Sequence, residues 1–246
     1  LGAVGYNPVL IGRLHSIGPD QLRGFTNRKV GDHRPNFMGG RPVDHGEFEG
    51  TQDPTRVSLQ KSGCGQNAYQ VHDEYVVAES VDFLNKVGID RKCGTINEPF
   101  CLSVGLMLPH QPYLAQEADY AIYEDIMFPP KKQSSYTDDL HPYFQPWRQK
   151  TGIQTVSEEE TMRARIAYWG LVTRLDHMIG QILRALKDNG LDENTFIIYT
   201  SDHGEHVGEH GLWWKHTFYE EPVRIPLIMS WPGVLPLGTR SDKVVN

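Results

Sequence analysis

No run among the 246 residues stays apolar over the roughly 18 positions that a membrane-crossing helix requires. No basic-then-apolar leader opens the chain either. Leu1-Gly2-Ala3-Val4-Gly5-Tyr6 reads instead as a helix end running into a turn, as in a piece of something longer, so the compartment stays open. Cysteine is scarce. Cys64, Cys93 and Cys101 form no CxxC pair, and an odd count of 3 argues against a disulfide framework. Positive charge is also short: 24 Lys and Arg face 31 Asp and Glu, a net charge of −7. That argues against a general nucleic-acid binder and leaves room for a locally basic pocket around an anion. Internal repeats are missing too. With 39% hydrophobic and 22% charged residues, the chain has enough apolar content for a sizeable core, so disorder is not its default.

What the chain does have is histidine, 11 in all, many at the ends of apolar runs. Val9-Leu10-Ile11 reads as a strand delivering Arg13 and His15, two apart and therefore on one side if the strand continues. Residues 16–68 read as a long irregular excursion rich in Gly, Pro, Asp and Asn. Val77, Val81, Leu84 and Val87 predict a helix over 73–87, with Gly88 as its C-cap. A strand over 100–107 runs into Leu108-Pro109-His110-Gln111-Pro112-Tyr113, where two prolines stop it. Residues 128–156 are Pro-rich and polar. Ser157 and Glu160 form a capping-box pattern ahead of the strongest helix, 158–186, whose apolar positions are Met162, Ile166, Trp169, Val172, Ile179, Leu183 and Leu186. Asn189-Gly190 ends it. A buried strand over 195–200 leads to Ser201-Asp202-His203-Gly204, and a further strand spans 223–230, with Pro226 marking an edge or bulge. The alternation implies an α/β fold, a mixed and largely parallel sheet flanked by helices.

The chemistry gathers at strand ends, as in α/β enzymes generally. Asp202 and a neutral His203 are both ligand types for a divalent cation, although a hard cation takes roughly six to eight donors, so others must join them. The plain alternative is an N-cap Asp beside a surface His. His206-Val207-Gly208-Glu209-His210 fits the H-x-x-E-H string of inverted zinc peptidases. That chemistry needs one helical face, and Gly204, Gly208 and Gly211 work against a helix there. Lys215, after Trp213-Trp214, suits an anion as a point charge or simply snorkels at the surface. Arg13 and His15 suit an oxyanion contact and a proton relay. His110 can reach the same pocket.

In order, these pieces resemble the sulfatase family of the alkaline phosphatase superfamily. The matching strings are Gly12-Arg13-Leu14-His15, Pro109-His110-Gln111-Pro112-Tyr113, Ser201-Asp202-His203-Gly204-Glu205, Glu209-His210-Gly211-Leu212, Lys215 and Arg224-Ile225-Pro226-Leu227. They span most of the chain and thin out between residues 30 and 70. Gly18-Pro19-Asp20-Gln21-Leu22 is similar to a segment of choline-sulfatase-like members.

The resemblance implies an alkaline-phosphatase-like core and hydrolysis of a sulfate monoester on a small molecule or glycan. It implies that Asp202 and His203 bind the divalent cation, Ca²⁺ by family habit, with Mn²⁺ the alternative that an imidazole ligand raises. Lys215 would touch the sulfate, His110 would contact it or assist the leaving group, and His15 would act in regenerating the nucleophile. Arg13 stands where the family usually has Lys. The family's nucleophile is a formylglycine made from a Cys or Ser in Cys-x-Pro-Ser-Arg. It and an Asp-Asp pair lie ahead of the strand carrying Arg13, and none of the three cysteines here fits that string. Residues 1–246 therefore read as the central part of the catalytic domain, ending before a smaller second domain and inactive alone. A periplasmic or extracellular setting goes with the family, and oligomeric state is not legible. Two other readings remain: a phosphonate monoester hydrolase or phosphodiesterase of the same superfamily, and a pseudoenzyme that binds sulfated glycan.

Overall fold

The computed structural model describes residues 1–33, 53–130 and 141–244. A short 3-10 turn, Gly2–Val4, leads through left-handed Gly5 into strand β1 (Asn7–Gly12). Then come β2 (Asn27–Arg28), helix α1 (Val57–Gln60), β3 (Gly63–Cys64) and helix α2 (Ala68–Cys93). β4 (Phe100–Gly105), β5 (Leu114–Ala115), α3 (Glu117–Glu124), α4 (Phe144–Thr151) and α5 (Glu158–Asp188) follow. The last part holds β6 (Ile197–Thr200), β7 (His206–Val207), β8 (Trp213–Trp214), α6 (Glu220–Val223) and β9 (Leu227–Ser230).

β1 lies between β2 and β4, parallel to both. Parallel neighbours need a crossover, and α2 supplies it between β1 and β4. β6 and β9 pair antiparallel, as do β7 and β8. The sheet arrangement is thus mixed, and its principal ladder is parallel and flanked by helices, as expected. Val9, Leu10 and Ile11 are buried on both faces of β1, which suits a strand covered by helices.

α2 begins where the Asn67 side chain accepts the Tyr69 and Gln70 N–H groups. It ends at left-handed Gly94, not at Gly88. Gly88 serves instead as a point of close approach. A Cβ there would lie 2.2 Å from Asn189 Oδ1, at the end of α5. α5 has the predicted capping box, with Glu160 N–H on Ser157 and Ser157 N–H on Glu160.

The buried stripe of α5 differs from the predicted one. Ala164, Ala167, Gly170, Leu171, Leu175 and Met178 face inward, whereas Trp169 and Leu183 are exposed. Small residues win this face because the segment around α3 comes close: a Cβ on Gly170 would lie 2.8 Å from that of Ala115. α5 adjoins both apolar clusters. One joins Tyr113, Leu171, Met178, Trp213 and Trp214, and the other joins β1, Phe83, Leu84 and Leu186.

Two expectations about strands need correction. Residues 197–200 alternate between half-buried and exposed, because among the described residues no helix packs extensively on the β6–β9 ladder. The last strand starts only at Leu227, since Glu220–Val223 coil into α6 ahead of Pro226. α4 lies within the stretch 128–156, read as Pro-rich and polar. Part of the 16–68 excursion, residues 34–52, lies outside the described residues.

Asp73, fully buried in α2, accepts the N–H groups of Met107 and Leu108 at 2.8–2.9 Å. Its Oδ1 lies 2.9 Å from His72 Nδ1, and His72 Nε2–H donates to the Gly31 carbonyl at 2.9 Å. Burial pushes the Asp73 carboxyl above the ordinary range, opposed by the bonds from His72, Leu108 and Met107. Replacing one member strands the others in a dry interior. Asp73→Ala is expected to cost about 3–5 kcal/mol, read as a lower urea midpoint, whereas exposed Asp82→Ala changes stability by less than about 0.5 kcal/mol.

Candidate active site

β1 ends at Gly12, where φ is 94° and an added Cβ would lie 2.2 Å from the Gly105 carbonyl oxygen. Only glycine fits so close to β4. Arg13, Leu14 and His15 therefore lie beyond the strand, and the strand-face argument for Arg13 and His15 fails. His15 instead takes a left-handed φ of 56°. Asp32 Oδ1 holds this turn by accepting the Leu14 and His15 N–H groups at 2.9 and 3.3 Å. Asp32 is buried and ion-paired with Arg28 at 3.0 Å. Arg13 Nη1 donates to His33 Nδ1 at 3.3 Å, which leaves the His33 proton on Nε2, 3.4 Å from the Tyr69 hydroxyl.

The second group follows β6. Gly204 lets the chain double back, since a Cβ there would lie 2.0 Å from the Glu221 carbonyl oxygen. His203 Nδ1–H donates to the Gly204 carbonyl at 2.7 Å. Its Nε2 lone pair accepts from the Lys215 ammonium at 3.0 Å. The exposed Asp202 carboxylate brings Oδ2 to 3.6 Å from the same nitrogen. Lys215 is thus exposed, as the snorkelling alternative has it, and also directed at the Asp–His pair.

The third group is the loop after β4, where Leu108-Pro109 and Gln111-Pro112 are cis. His110 Nδ1–H donates to the Gln111 carbonyl at 2.7 Å, and the ring meets Tyr69 edge-on at 5.4 Å. Burial pulls the His110 pKa down to about 4, and the charges of Lys215, Arg13 and His203 act the same way. His15 is lowered chiefly by Arg13, then by burial and Lys215, while Asp32 and Asp202 pull it up. All six residues singled out in the sequence therefore share one electrostatic neighbourhood.

Sequence reasoning passes over several neighbours. Asp32, His33 and Tyr69 position Arg13 and His15, and the only signal for the first two is an adjacent Asp-His in a Gly-rich stretch. Glu205 stands in a recognised string, but its role is not legible there. Its Oε1 accepts from the buried Tyr113 hydroxyl at 2.6 Å. Burial pushes its pKa up to about 7, and Lys215 opposes the shift.

The zinc-peptidase string does not form a helical face. His206 and Val207 are extended, Gly208 turns, and His210 is left-handed. Glu209, the would-be base, is ion-paired with Arg165 at 2.6 Å. His206 is buried and bound through Nε2 to Thr217 at 2.7 Å, and His210 stacks on Tyr219.

Asp202 and His203 suit part of a cation site. With Nδ1–H tied to a backbone carbonyl, His203 presents Nε2 beside a carboxylate oxygen, and a cation bound there would displace the Lys215 ammonium that holds that lone pair. Among the described residues no cluster of 3 or more His, Cys, Asp or Glu has metal-holding geometry, so the pair supplies only part of a ligand set.

Arg13, the Asp202–His203 pair and Lys215 thus lie just beyond β1, β6 and β8. The sulfatase family model matches residues 3–246, and the chain belongs to that family. It is 31% identical over 245 residues to a choline-sulfatase of Rhizobium meliloti, covering 96% of this chain and 47% of that one. It is 29% identical over 270 residues to the multifunctional alkaline phosphatase superfamily protein PehA of Trinickia caryophylli, covering 95% and 51%. The chain spans about half the length of these curated relatives. In fold it is similar to the phosphonate monoester hydrolase of Silicibacter pomeroyi, with a TM-score of 0.61, 20% identity and 96% and 52% of the chains covered. It is equally similar to a protein solved with its substrate D-glucosamine-2-N,6-O-disulfate, at TM-score 0.61, 18% identity and 96% and 55% coverage. The family generally uses a divalent cation and formylglycine. No helix among the described residues is long and apolar enough to cross a membrane.

Burial pulls the His206 pKa down to about 4. An unfolded chain binds that proton near pH 6.5, so the stability tied to neutral His206 is full above 6.5 and drains as pH falls toward 4. Urea titrations should show wild type losing about 2–3 kcal/mol more than His206→Gln between pH 7 and 4.

Proposed function

We propose that residues 1–246 form the central part of a sulfatase catalytic domain, and that the full-length protein hydrolyses a sulfate monoester. The contact that carries this reading is Lys215 Nζ on His203 Nε2 at 3.0 Å with Asp202 alongside, because it puts a cation and a ligand pair at one point. Asp202 and His203 are the proposed cation ligands. Calcium is the expected ion, and manganese is the competitor that an imidazole donor favours. Held by Asp202 and His203, such an ion would offset charge on the sulfate oxygens, and the family's formylglycine, which is not among residues 1–246, would supply the nucleophile.

The rest of the chemistry falls to side chains of this chain. Lys215 and Arg13 offer positive charge to the same oxygens, and a well-aimed contact of this kind lowers a barrier by about 3–4 kcal/mol. His15, flanked by Arg13 and Lys215, is held neutral and can take a proton as a base. His110 presents a neutral ring whose Nε2 becomes a donor only after protonation, a step that an adjacent anion favours. The similarity to a choline-sulfatase and the Gly18–Leu22 segment support a small-alcohol sulfate as substrate.

In the full-length protein, Lys215→Ala is expected to lower kcat/KM for 4-nitrophenyl sulfate about 10²–10³-fold. Asp202→Ala should abolish cation-dependent turnover, and metal analysis of the purified protein identifies the ion. Faster turnover of phenyl phosphonate than of the sulfate would reassign the chain to the phosphonate hydrolases.

A further inference from the structure

Arg148, on α4, is 9% exposed. Among the described residues its guanidinium has no carboxylate partner, and Nε makes no hydrogen bond. Burial alone acts on its ionisation, in the direction of losing the proton. A guanidinium stays charged in proteins, and burying one without a counter-charge is costly.

Arg148 lines a cavity of about 440 Å³, a size suited to a small organic molecule. Ile153, Val156, Met162 and Trp213 provide apolar walls. Thr161 and the exposed Glu158 come from the first turn of α5, a 31-residue helix whose N-terminal end favours negative charge. Glu158 is exposed whereas Arg148 is buried, and these two are the charged side chains among the described residues that line the cavity. Gly208, Gly211 and Trp213 also wall the cavity, and neither Lys215 nor His203 is among its lining residues. Yet α4 ties the two regions together, because the Trp147 ring packs on His216, the neighbour of Lys215, at 4.7 Å.

We infer that this cavity is a second anion site, which takes an organic acid with its carboxylate or sulfate on the fork of Arg148 and its apolar body against Trp213. The planar fork matches two oxygens of either group. The occupant has two sources, a free organic acid or an acid group on the substrate itself. The site stands on Arg148 and the cavity, independently of the hydrolytic reading.

The test is titration of the full-length protein with benzoate, and with benzyl alcohol as the uncharged match, by calorimetry and tryptophan fluorescence. Wild type is expected to bind benzoate and not benzyl alcohol. Arg148→Met should weaken benzoate about tenfold or more while leaving the urea midpoint unchanged or raised, since it removes a buried charge that has no carboxylate partner among the described residues. A structural Arg148 would give the opposite, a lowered midpoint. Arg148→Lys keeps the charge without the fork and should bind with intermediate affinity. If Arg148→Met raises KM for 4-sulfooxybenzoate but not for 4-nitrophenyl sulfate, the acid group is the substrate's own. Equal KM values with benzoate binding lost assign the site to a free acid. The inference is overturned if benzoate fails to bind wild type, or binds wild type and Arg148→Met alike. Both results read out by binding, so they stand apart from any failure of sulfate hydrolysis.

Discussion

The Asp73 carboxylate is the constraint on which the arrangement rests. It is buried in α2, and it takes the two N–H groups at the start of the loop that carries His110. Through His72 it also reaches the Gly31 carbonyl, next to Asp32 and His33. One helix residue thus fixes two loops that share no ladder hydrogen bonds. Backbone groups beyond a strand end must find partners or stay in water. Here the partners come from a dry interior, where a hydrogen bond is stronger and its loss is dearer. His72 bridges two acceptors, so one proton is locked between ring and carboxylate. That gives the pair a fixed geometry that a solvated pair would lack.

A second theme is the placement of cations. Arg28 is buried and bound to Asp32, Gln21 and the Gly12 carbonyl, so its charge holds the 13–33 segment in shape. Arg165 is buried and bound to Glu209, the Val207 carbonyl and the Phe128 carbonyl, and so fixes the β7–β8 hairpin on α5. Each has a carboxylate partner, and both are structural. Arg13 and Lys215 differ. Each donates to a histidine nitrogen and forms no ion pair with a carboxylate among the described residues. A cation held by a neutral donor keeps more of its charge available to an anion than one locked to a carboxylate.

Much of this was legible, for identifiable reasons. The α5 capping box, the strand 7–12 and the terminating Asn189-Gly190 depend on local chemistry, which a sequence carries directly. The candidates Arg13, His15, His110, Asp202, His203 and Lys215 stand out because their strings resemble the sulfatase family's; by spacing alone each has a plain structural reading. What escaped depended on distance in three dimensions. Gly88 looked like a helix end because glycine usually is one, but Asn189, 101 positions further along, needed the space. The inward face of α5 was misjudged because large apolar residues dominate a periodicity count, whereas a close helix contact selects Ala and Gly. Asp73 looked like one more acidic residue on a helix, and only its contacts with residues 107 and 108 reveal otherwise.

Arg13 illustrates how such distant contacts alter the meaning of a residue. A lysine at this position would offer a point charge on a flexible stem and could follow an anion freely. An arginine brings a planar fork, which is useful only if its plane is set. His33 sets it by accepting from Nη1, and Tyr69 in turn faces both His33 and His110. The orientation of the guanidinium and the placement of the His110 ring are therefore not independent, since one tyrosine of α2 touches the supports of both. A shift of α2 by a fraction of an ångström moves the two together. That coupling preserves the spacing of the two groups that the proposed reading sets around one tetrahedral anion, where relative position matters more than the absolute position of either.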